Sequence, residues 1–227
     1  MFEVEASETV FEGRVITLRR DTVAMLGGGT SVREVVHHPG AVVVVALDDD
    51  DHVVLLCQYR HPVGKHLWEL PAGLRDADGE PPLATAKREL AEEAELAADR
   101  WSLLTTTYST PGFCDEQVLV YLAEGLRPVA RPDGFVVEHE ELDMTVERVP
   151  LDDAVQRVFD GDIRNASAVI GLLRSVRRPE LPASRGGSRG RVPRCRPDAP
   201  HRSSGASHRP IGCGPADGSE RRFRWCG

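Results

Sequence analysis

The alternation of apolar and polar positions predicts short strands in the first 60 residues. Residues 8–38 contain strand patterns at Thr9–Phe11, Arg14–Leu18 and Ser31–Val36, the last preceded by a three-glycine turn. Ala41–Leu47 is a continuous apolar run rich in valine, which is typical of a strand buried on both faces. Val53–Tyr59 follows as another strand.

Helical periodicity begins later in the chain. Pro81 or Pro82 can start a helix, and Leu83–Leu96 continues it with its apolar residues on one face at spacings of three and four. Shorter helices are predicted at Leu151–Phe159 and at Ala166–Val176, which Asn165 can cap. Strands at Trp101–Thr107 and Gln117–Leu122 separate the helices. The pattern therefore predicts an α/β layered domain in which helices pack on a mixed sheet.

Composition divides the chain into an acidic body and a basic tail. The whole chain has 227 residues and a formal charge of −8. Ten arginines and four acids give residues 179–227 a charge of +6, which leaves −14 on residues 1–178. The tail contains 21 Pro, Gly and Ser residues among its 49 and shows no sustained period, so we expect it to be disordered.

The same features argue against several classes of protein. Ala41–Leu47 is the longest apolar run and is too short to span a bilayer, and Met1–Glu5 does not resemble the start of a secretory signal. A net acidic chain is a poor candidate for a general nucleic-acid binder. Cys57 and Cys114 have no metal-ligand spacing, and an odd count of five cysteines without a secretory signal indicates reduced thiols. We expect a cytoplasmic protein that binds neither membranes nor nucleic acid.

Two acidic clusters invite a metal-binding interpretation. Asp48–Asp51 separates two predicted strands. A solvated hairpin turn explains these four aspartates better than a metal site does. On a helix, Glu89, Glu92 and Glu93 share one face at i, i+3 and i+4, so their charges repel. A divalent cation would offset that repulsion. Alternatively, the face is solvated and held by i,i+4 pairs such as that between Arg88 and Glu92.

The context of this helix resembles the Nudix box, G-x5-E-x7-R-E-U-x-E-E-x-G-U, where U is aliphatic. Eight of its nine fixed positions are present: Gly73, Glu80, Arg88, Glu89, Leu90, Glu92, Glu93 and Leu96. The resemblance implies a Nudix fold, an α/β/α sandwich around a mixed sheet, and covers about residues 8–177. The chain departs from the pattern in two places. The first spacer has six residues instead of five, and Glu95 replaces a glycine that ends the helix with positive φ. We expect the helix either to continue for another turn or to end under strain.

Segments outside the box are similar to those of ADP-ribose pyrophosphatases in this family, especially the actinobacterial type. They are Gln58–Arg60, Leu67–Gly73 and Thr110–Glu116, with Pro111 sixteen residues after the box-glycine position. The resemblance implies hydrolysis of ADP-ribose to AMP and ribose 5-phosphate. It also implies an antiparallel β domain at residues 1–38 that supports a homodimer and part of the adenine slot. The hydrolase domain then spans residues 39–178 and the tail residues 179–227.

The resemblance also assigns roles to individual residues. Mg²⁺ or Mn²⁺ would be held by Glu89, Glu93, Glu92 and the carbonyl of Ala72, with Arg88 orienting the carboxylates. Arg60 is either a phosphate clamp or a member of a surface ion pair. In the acidic segment 138–143, Glu141 is the first candidate for the general base and Glu140 the second, unless that segment is simply solvated.

Weaker candidates and rival functions remain. Glu69 and Glu116 are candidates for ribose or diphosphate contacts, and Trp68 is either a substrate contact or a core aromatic. The box does not exclude another substrate, such as a nucleotide sugar, an oxidised nucleotide or a capped RNA. It also does not exclude a non-catalytic regulator that senses ADP-ribose, although the retained glutamates favour an enzyme.

Overall fold

The computed structural model describes residues 2–132 and 144–176, which all lie in the first of two units of the chain, Met1–Pro182. Ten strands and three α-helices run through these described residues. The strands are β1 (Val4–Glu12), β2 (Thr17–Ala24), β3 (Thr30–His37), β4 (Ala41–Leu47), β5 (His52–Arg60), β6 (Lys65–Glu69), β7 (Ala72–Leu74), β8 (Leu96–Tyr108), β9 (Gln117–Pro128) and β10 (Thr145–Pro150). The helices are α1 (Pro82–Ala94), α2 (Leu151–Phe159) and α3 (Ala166–Ser175). Among the described residues, no helix has the length and hydrophobicity needed to cross a membrane.

The first three strands form a separate antiparallel sheet in the order β1-β2-β3. Strand β1 is exposed along its whole length, whereas β2 lies in the middle and buries Asp21. The Ser7 hydroxyl donates a hydrogen bond of 2.6 Å to the Asp21 carboxylate, so this buried acid is satisfied. Residues 14–16 were predicted as part of a strand, but they form a turn closed by Gly13 N–H to the Ile16 carbonyl.

The remaining strands form a mixed sheet with the main order β10-β5-β4-β9-β8. Strand β4 runs parallel to β9 and antiparallel to its other partners. Strands β6 and β7 extend the sheet by pairing with β5 and β4. Between β4 and β5, the Asp48 carboxylate accepts hydrogen bonds from the N–H groups of Asp50 and His52, which confirms the predicted hairpin turn.

Strand β4 joins the two hydrophobic cores, because its residues alternate between the faces of the sheet. Its odd-numbered residues Val43, Val45 and Leu47 pack with α2 and α3, and its even-numbered residues Val42, Val44 and Ala46 pack with α1. All six are at most 3% exposed. The structure therefore confirms a mixed sheet with helices on both faces and a separate N-terminal antiparallel sheet.

Local patterns missed β6, β7 and β10. Strand β7 contains only Ala72–Leu74 and follows a proline, so its sequence predicts a loop. It becomes a strand because its backbone pairs with β4 through Val43↔Ala72 and Ala41↔Leu74. By contrast, the predicted helix starts and caps are confirmed: α1 begins at Pro82, and the Asn165 side chain accepts a hydrogen bond from Ala168 N–H at 3.0 Å.

Helix α3 offers two adjacent leucines with different burial. Leu172 is fully buried and Leu173 is 39% exposed. Leu172→Ala is expected to lower the free energy of unfolding by about 3 kcal/mol, because it leaves a cavity between α3 and the sheet. Leu173→Ala should change it by less than about 1 kcal/mol, since little apolar surface is lost. Urea denaturation of both variants measures the difference, and equal losses would contradict this packing.

Candidate active site

A cavity of about 800 Å³ opens between α1, β7 and the ends of β5 and β6. Its charged lining is mainly acidic: Glu69, Asp76, Glu89, Glu92, Glu93 and Glu116, against Arg60 and Arg88. Such an excess of negative charge in a concave site favours a bound cation.

Helix α1 presents three of these carboxylates. Glu93 is 9% exposed, and the side chains of Glu89 and Glu92 are each 13% exposed. The i, i+3, i+4 spacing places all three on one helical face, as the sequence predicts. Their low exposure disagrees with a solvated helix face, although the i,i+4 pair between Arg88 and Glu92 that this alternative invoked is present.

Arg88 is the counter-charge of this cluster. Its Nη1 lies 2.8 Å from Glu89 Oε1 and 2.9 Å from Glu92 Oε2. Its Nε and Nη2 each donate to Glu80 at 3.4 Å. Although burial acts to lower it, the pKa of Arg88 is raised above its usual value by Glu80, Glu89 and Glu92. One guanidinium therefore ties together three carboxylates.

The acids around Arg88 titrate differently. Hydrogen bonds from Arg88 and then from the Thr85 hydroxyl hold the pKa of Glu80 below its ordinary value. Burial raises the pKa of Glu89 to about 7, against the lowering effect of Arg88 and with a further rise from Glu92. Glu89 thus lies in surroundings where its negative charge is incompletely compensated.

Strand β7 fixes two carboxylates of the helix from the opposite side. The N–H of Ala72 donates a 2.8 Å hydrogen bond to Glu93 Oε2. Gly73 lies directly against Glu89, and a Cβ added at this glycine would overlap the Glu89 side chain. The glycine is required because the backbone and the carboxylate approach each other closely.

Comparison with known proteins identifies this arrangement. Residues 36–169 match the NUDIX domain. The chain belongs to the Nudix family. An ADP-ribose pyrophosphatase of Mycobacterium tuberculosis is 51% identical over 172 residues, which cover 76% of this chain and 82% of that protein. An ADP-ribose pyrophosphatase of Bacillus subtilis is 37% identical over 171 residues, or 74% of this chain and 88% of that protein.

Two further matches are a relative with a different named role and a solved structure. A methanol dehydrogenase activator of Bacillus methanolicus is 37% identical over 166 residues, covering 73% of this chain and 88% of that protein. The crystal structure of an ADP compounds hydrolase superposes with a TM-score of 0.66 at 24% identity, covering 78% of this chain and 92% of that one. The latter likeness shows the fold alone.

The Nudix carboxylates have the right chemistry for a metal centre. Carboxylate and carbonyl oxygens are the ligands preferred by hard divalent cations, and burial disfavours the ionised form of Glu89 even beside Arg88, so a cation there would offset the cost of its charge. Within residues 2–132 and 144–176, no group of three His, Cys, Asp or Glu side chains has converged into a ready metal-binding set. The donor types nevertheless fit a hard divalent cation, with Arg88 holding two of the acids.

The opposite wall of the cavity contains a second ion pair. Arg60 Nη2 donates to Glu69 Oε2 at 2.6 Å, and its Nε donates to Oε1 at 3.0 Å. The Glu69 side chain is 2% exposed and also accepts from Gln58 Nε2 at 3.4 Å. Arg60 therefore belongs to an ion pair, as one of its two predicted roles required. Its partner is a buried carboxylate at the edge of the cavity and not a surface one. Glu69 contacts Arg60 directly, and no local pattern in the sequence indicates this pairing.

The other predicted residues lie in different places. Glu116 lines the cavity with its Oε1 3.7 Å from His38 Nδ1. Trp68 packs against the core on the α2 side, 5.6 Å from the guanidinium carbon of Arg157, and is absent from the described cavity lining. This position matches the core-aromatic alternative. Glu140 and Glu141 lie outside the described residues, so their assignment as the base stays a prediction.

Several lining residues were not predicted. Asp76 follows the box glycine in a loop, His38 follows β3, and Asn165 and Ser167 lie at the start of α3. Their signals in the sequence are weak because loops and strand ends from distant segments meet at this cavity. Only the position of Asp76, within the first spacer of the Nudix box, could have drawn attention to it.

The unusual end of the box helix is now defined. Helix α1 stops at Ala94, and Glu95 adopts the left-handed conformation with φ 55° and ψ 39°. The alternative of a continued helix is therefore wrong, and the strained end is correct. Arg131 Nε donates to the Glu92 carbonyl at 2.9 Å and lies 3.4 Å from Glu95 Oε1, so it stabilises this end.

Replacing Glu95 tests that strain. Glu95→Gly is expected to raise the free energy of unfolding by about 0.5 kcal/mol. A left-handed glycine avoids a cost of about 1 kcal/mol, which exceeds the value of one exposed ion pair. Glu95→Ala is the matched control, because it loses the ion pair with Arg131 and keeps the strained backbone. Thermal and urea denaturation should therefore rank the glycine variant above the alanine variant, and the reverse order would argue against strain at this position.

Proposed function

We propose that this Nudix protein hydrolyses the pyrophosphate bond of ADP-ribose to AMP and ribose 5-phosphate with a divalent cation. The observation that carries the proposal is the buried carboxylate cluster of Glu89, Glu92 and Glu93 around Arg88 in the cavity wall. The named activity of the half-identical Mycobacterium tuberculosis relative supports the choice of substrate. Residues 39–178 would form the hydrolase domain.

Glu89, Glu92, Glu93 and the carbonyl oxygen of Ala72 would hold the Mg²⁺ or Mn²⁺. When bound, the cation supplies charge neutralisation at the diphosphate and acidifies the attacking water. The Ala72 N–H already fixes Glu93, and Gly73 leaves room for Glu89, so β7 sets the depth at which these carboxylates lie. A bound cation would favour the ionised form of all three carboxylates and draw their oxygens together.

The chain's own cations would bind the substrate. Arg60 reaches the cavity with a side chain that is 44% exposed, while its pairing with buried Glu69 restricts its orientation. An oriented guanidinium can bind phosphate in a bidentate manner. Arg88 instead orients Glu89 and Glu92. Glu116 is proposed to contact the ribose or the diphosphate, and Glu141, or failing that Glu140, to remove the proton of the attacking water.

The N-terminal sheet is proposed to form a homodimer and part of the adenine slot. Apolar side chains are exposed on β1 and on the turn that follows it, which supports an interface within residues 1–38. These side chains are Val4, Val10, Phe11, Val15 and Ile16. Within the described residues Cys57 and Cys114 form no disulfide, which is consistent with the reducing cytoplasm we propose as the location. The tail of residues 179–227 is proposed to be an appendage outside the catalytic unit.

A substrate panel tests the proposed activity. The purified chain with Mg²⁺ or Mn²⁺ is expected to release AMP from ADP-ribose with a higher kcat/KM than from nucleotide sugars, oxidised dGTP or capped RNA. EDTA should abolish the turnover, because the carboxylates alone cannot neutralise the diphosphate. A tenfold preference for another member of the panel would overturn the substrate assignment, and binding of ADP-ribose without turnover would favour a sensing role.

Glu93→Gln tests the metal centre. Loss of an outer contact to a metal typically costs 10–100-fold, so losing a direct ligand should lower kcat by at least about 100-fold. Glutamine keeps the size of the side chain and its ability to accept from Ala72 N–H, which separates charge from packing. Glu124→Gln is the matched control, because Glu124 lies on β9 and faces Arg100 at 3.9 Å, away from the cavity lining. Wild-type turnover in the Glu93 variant would contradict the assigned site.

A further inference from the structure

Thr85 carries a buried hydroxyl on α1, at a position where the Nudix pattern specifies no residue type. It lies on α1, one turn before Arg88, and is fully buried. A buried hydroxyl needs a hydrogen-bond partner, and Thr85 Oγ1 has two acceptors nearby. Glu80 Oε2 lies at 2.9 Å and the Pro81 carbonyl at 3.5 Å. Because the hydroxyl has a single proton, the shorter contact to a charged acceptor receives it.

The acceptor of Thr85 is the carboxylate that holds Arg88 from outside the cavity. Glu80 precedes the helix in a loop, and its oxygens accept from Arg88 Nε and Nη2, each at 3.4 Å. Glu80 Oε2 contacts both Thr85 and Arg88. Thr85 thus attaches a loop carboxylate to the rigid first turns of α1.

The same guanidinium reaches the cavity with its other end. Arg88 Nη1 lies 2.8 Å from Glu89 and 2.9 Å from Glu92. A planar guanidinium transmits its orientation, because fixing Nε and Nη2 also fixes the direction of Nη1. A continuous chain of contacts therefore runs from Thr85 through Glu80 and Arg88 to two carboxylates of the cavity wall.

We propose that Thr85 is a positioning residue, whose buried hydroxyl fixes Glu80 so that Arg88 holds Glu89 and Glu92 in place for a divalent cation. The inference rests on the proposed metal site and adds a residue outside the family's fixed positions. It concerns the arrangement of the acids and involves no contact between Thr85 and the substrate.

Two substitutions at Thr85 separate its hydroxyl from its packing. Thr85→Val keeps the volume and removes the donor, whereas Thr85→Ser keeps the donor and removes a buried methyl. Ser175→Ala is the control for losing a buried helical hydroxyl, because Ser175 is fully buried and donates to Gly171 O at 2.8 Å on α3. Mn²⁺ affinity, measured by calorimetry without substrate, and Tm, measured in EDTA, are the two readouts.

Thr85→Val is expected to weaken Mn²⁺ binding by about tenfold, within the range for residues that support a metal ligand indirectly. Thr85→Ser should retain the affinity despite a lower Tm, and Ser175→Ala should lower only the Tm. Thr85→Ala provides a second variant without the donor, and it should reproduce the loss if the valine variant folds poorly. Wild-type Mn²⁺ affinity in the valine and alanine variants, or losses that follow Tm in all four proteins, would overturn the inference.

The Glu80→Gln background tests the route. If Thr85 acts through Glu80, Thr85→Val should cause little further loss of Mn²⁺ affinity in that background. A full additional loss would show that Thr85 acts by another path and would reject the proposal. Absence of Mn²⁺ binding in the wild-type chain would overturn the metal site and this inference together, whereas normal wild-type binding with an unaffected valine variant would overturn the inference alone.

Discussion

The pairing of Arg88 with the acids around it is the interaction on which the candidate site depends. One guanidinium at the edge of the cavity contacts three carboxylates, those of Glu80, Glu89 and Glu92. All three carboxylates have a low exposure to solvent. Like charges about 4 Å apart repel by about 4 kcal/mol at an effective dielectric constant of 20, so the cluster would not stay ionised without a counter-charge. One arginine leaves an excess of negative charge, which suits the site to a divalent cation, and burial together with the neighbouring Glu92 raises the pKa of Glu89 despite that arginine.

The sheet gives this cluster its rigidity. Strand β4 contributes to both hydrophobic cores, so α1 on one face and α3 on the other are fixed to the same strand. Strand β7 pairs with β4 and brings the Ala72 N–H and the bare backbone of Gly73 against Glu93 and Glu89. Strands β4 and β7, which are separated in the sequence, thus determine where the carboxylates lie. Neither strand can move without disturbing the core.

The features that could be predicted from the sequence are those set by interactions between residues close together along the chain. The shared face of Glu89, Glu92 and Glu93 is a consequence of helical periodicity, which is local, and so is the strand at Ala41–Leu47. The pairing of Arg60 with Glu69 and the short strand at Ala72–Leu74 depend on contacts made only after β4, β5 and β6 assemble. Such contacts leave no periodic signal in a single sequence. The family pattern supplied what periodicity could not, since it associates Gly73 with a helix that begins nine residues later.

The departure at Glu95 shows why the metal carboxylates tolerate a change at the end of their own helix. A non-glycine residue in the left-handed region costs about 1 kcal/mol, and a hydrogen bond such as that from Arg131 to the Glu92 carbonyl contributes about the same. The strain at the helix end is therefore offset locally. Glu93 accepts from Ala72 on β7 and Glu89 is held by Arg88, so neither carboxylate relies on the conformation of residue 95 for its position. Because the site is fixed by contacts that cross between elements, a box glycine can be replaced without dispersing the acids that it follows.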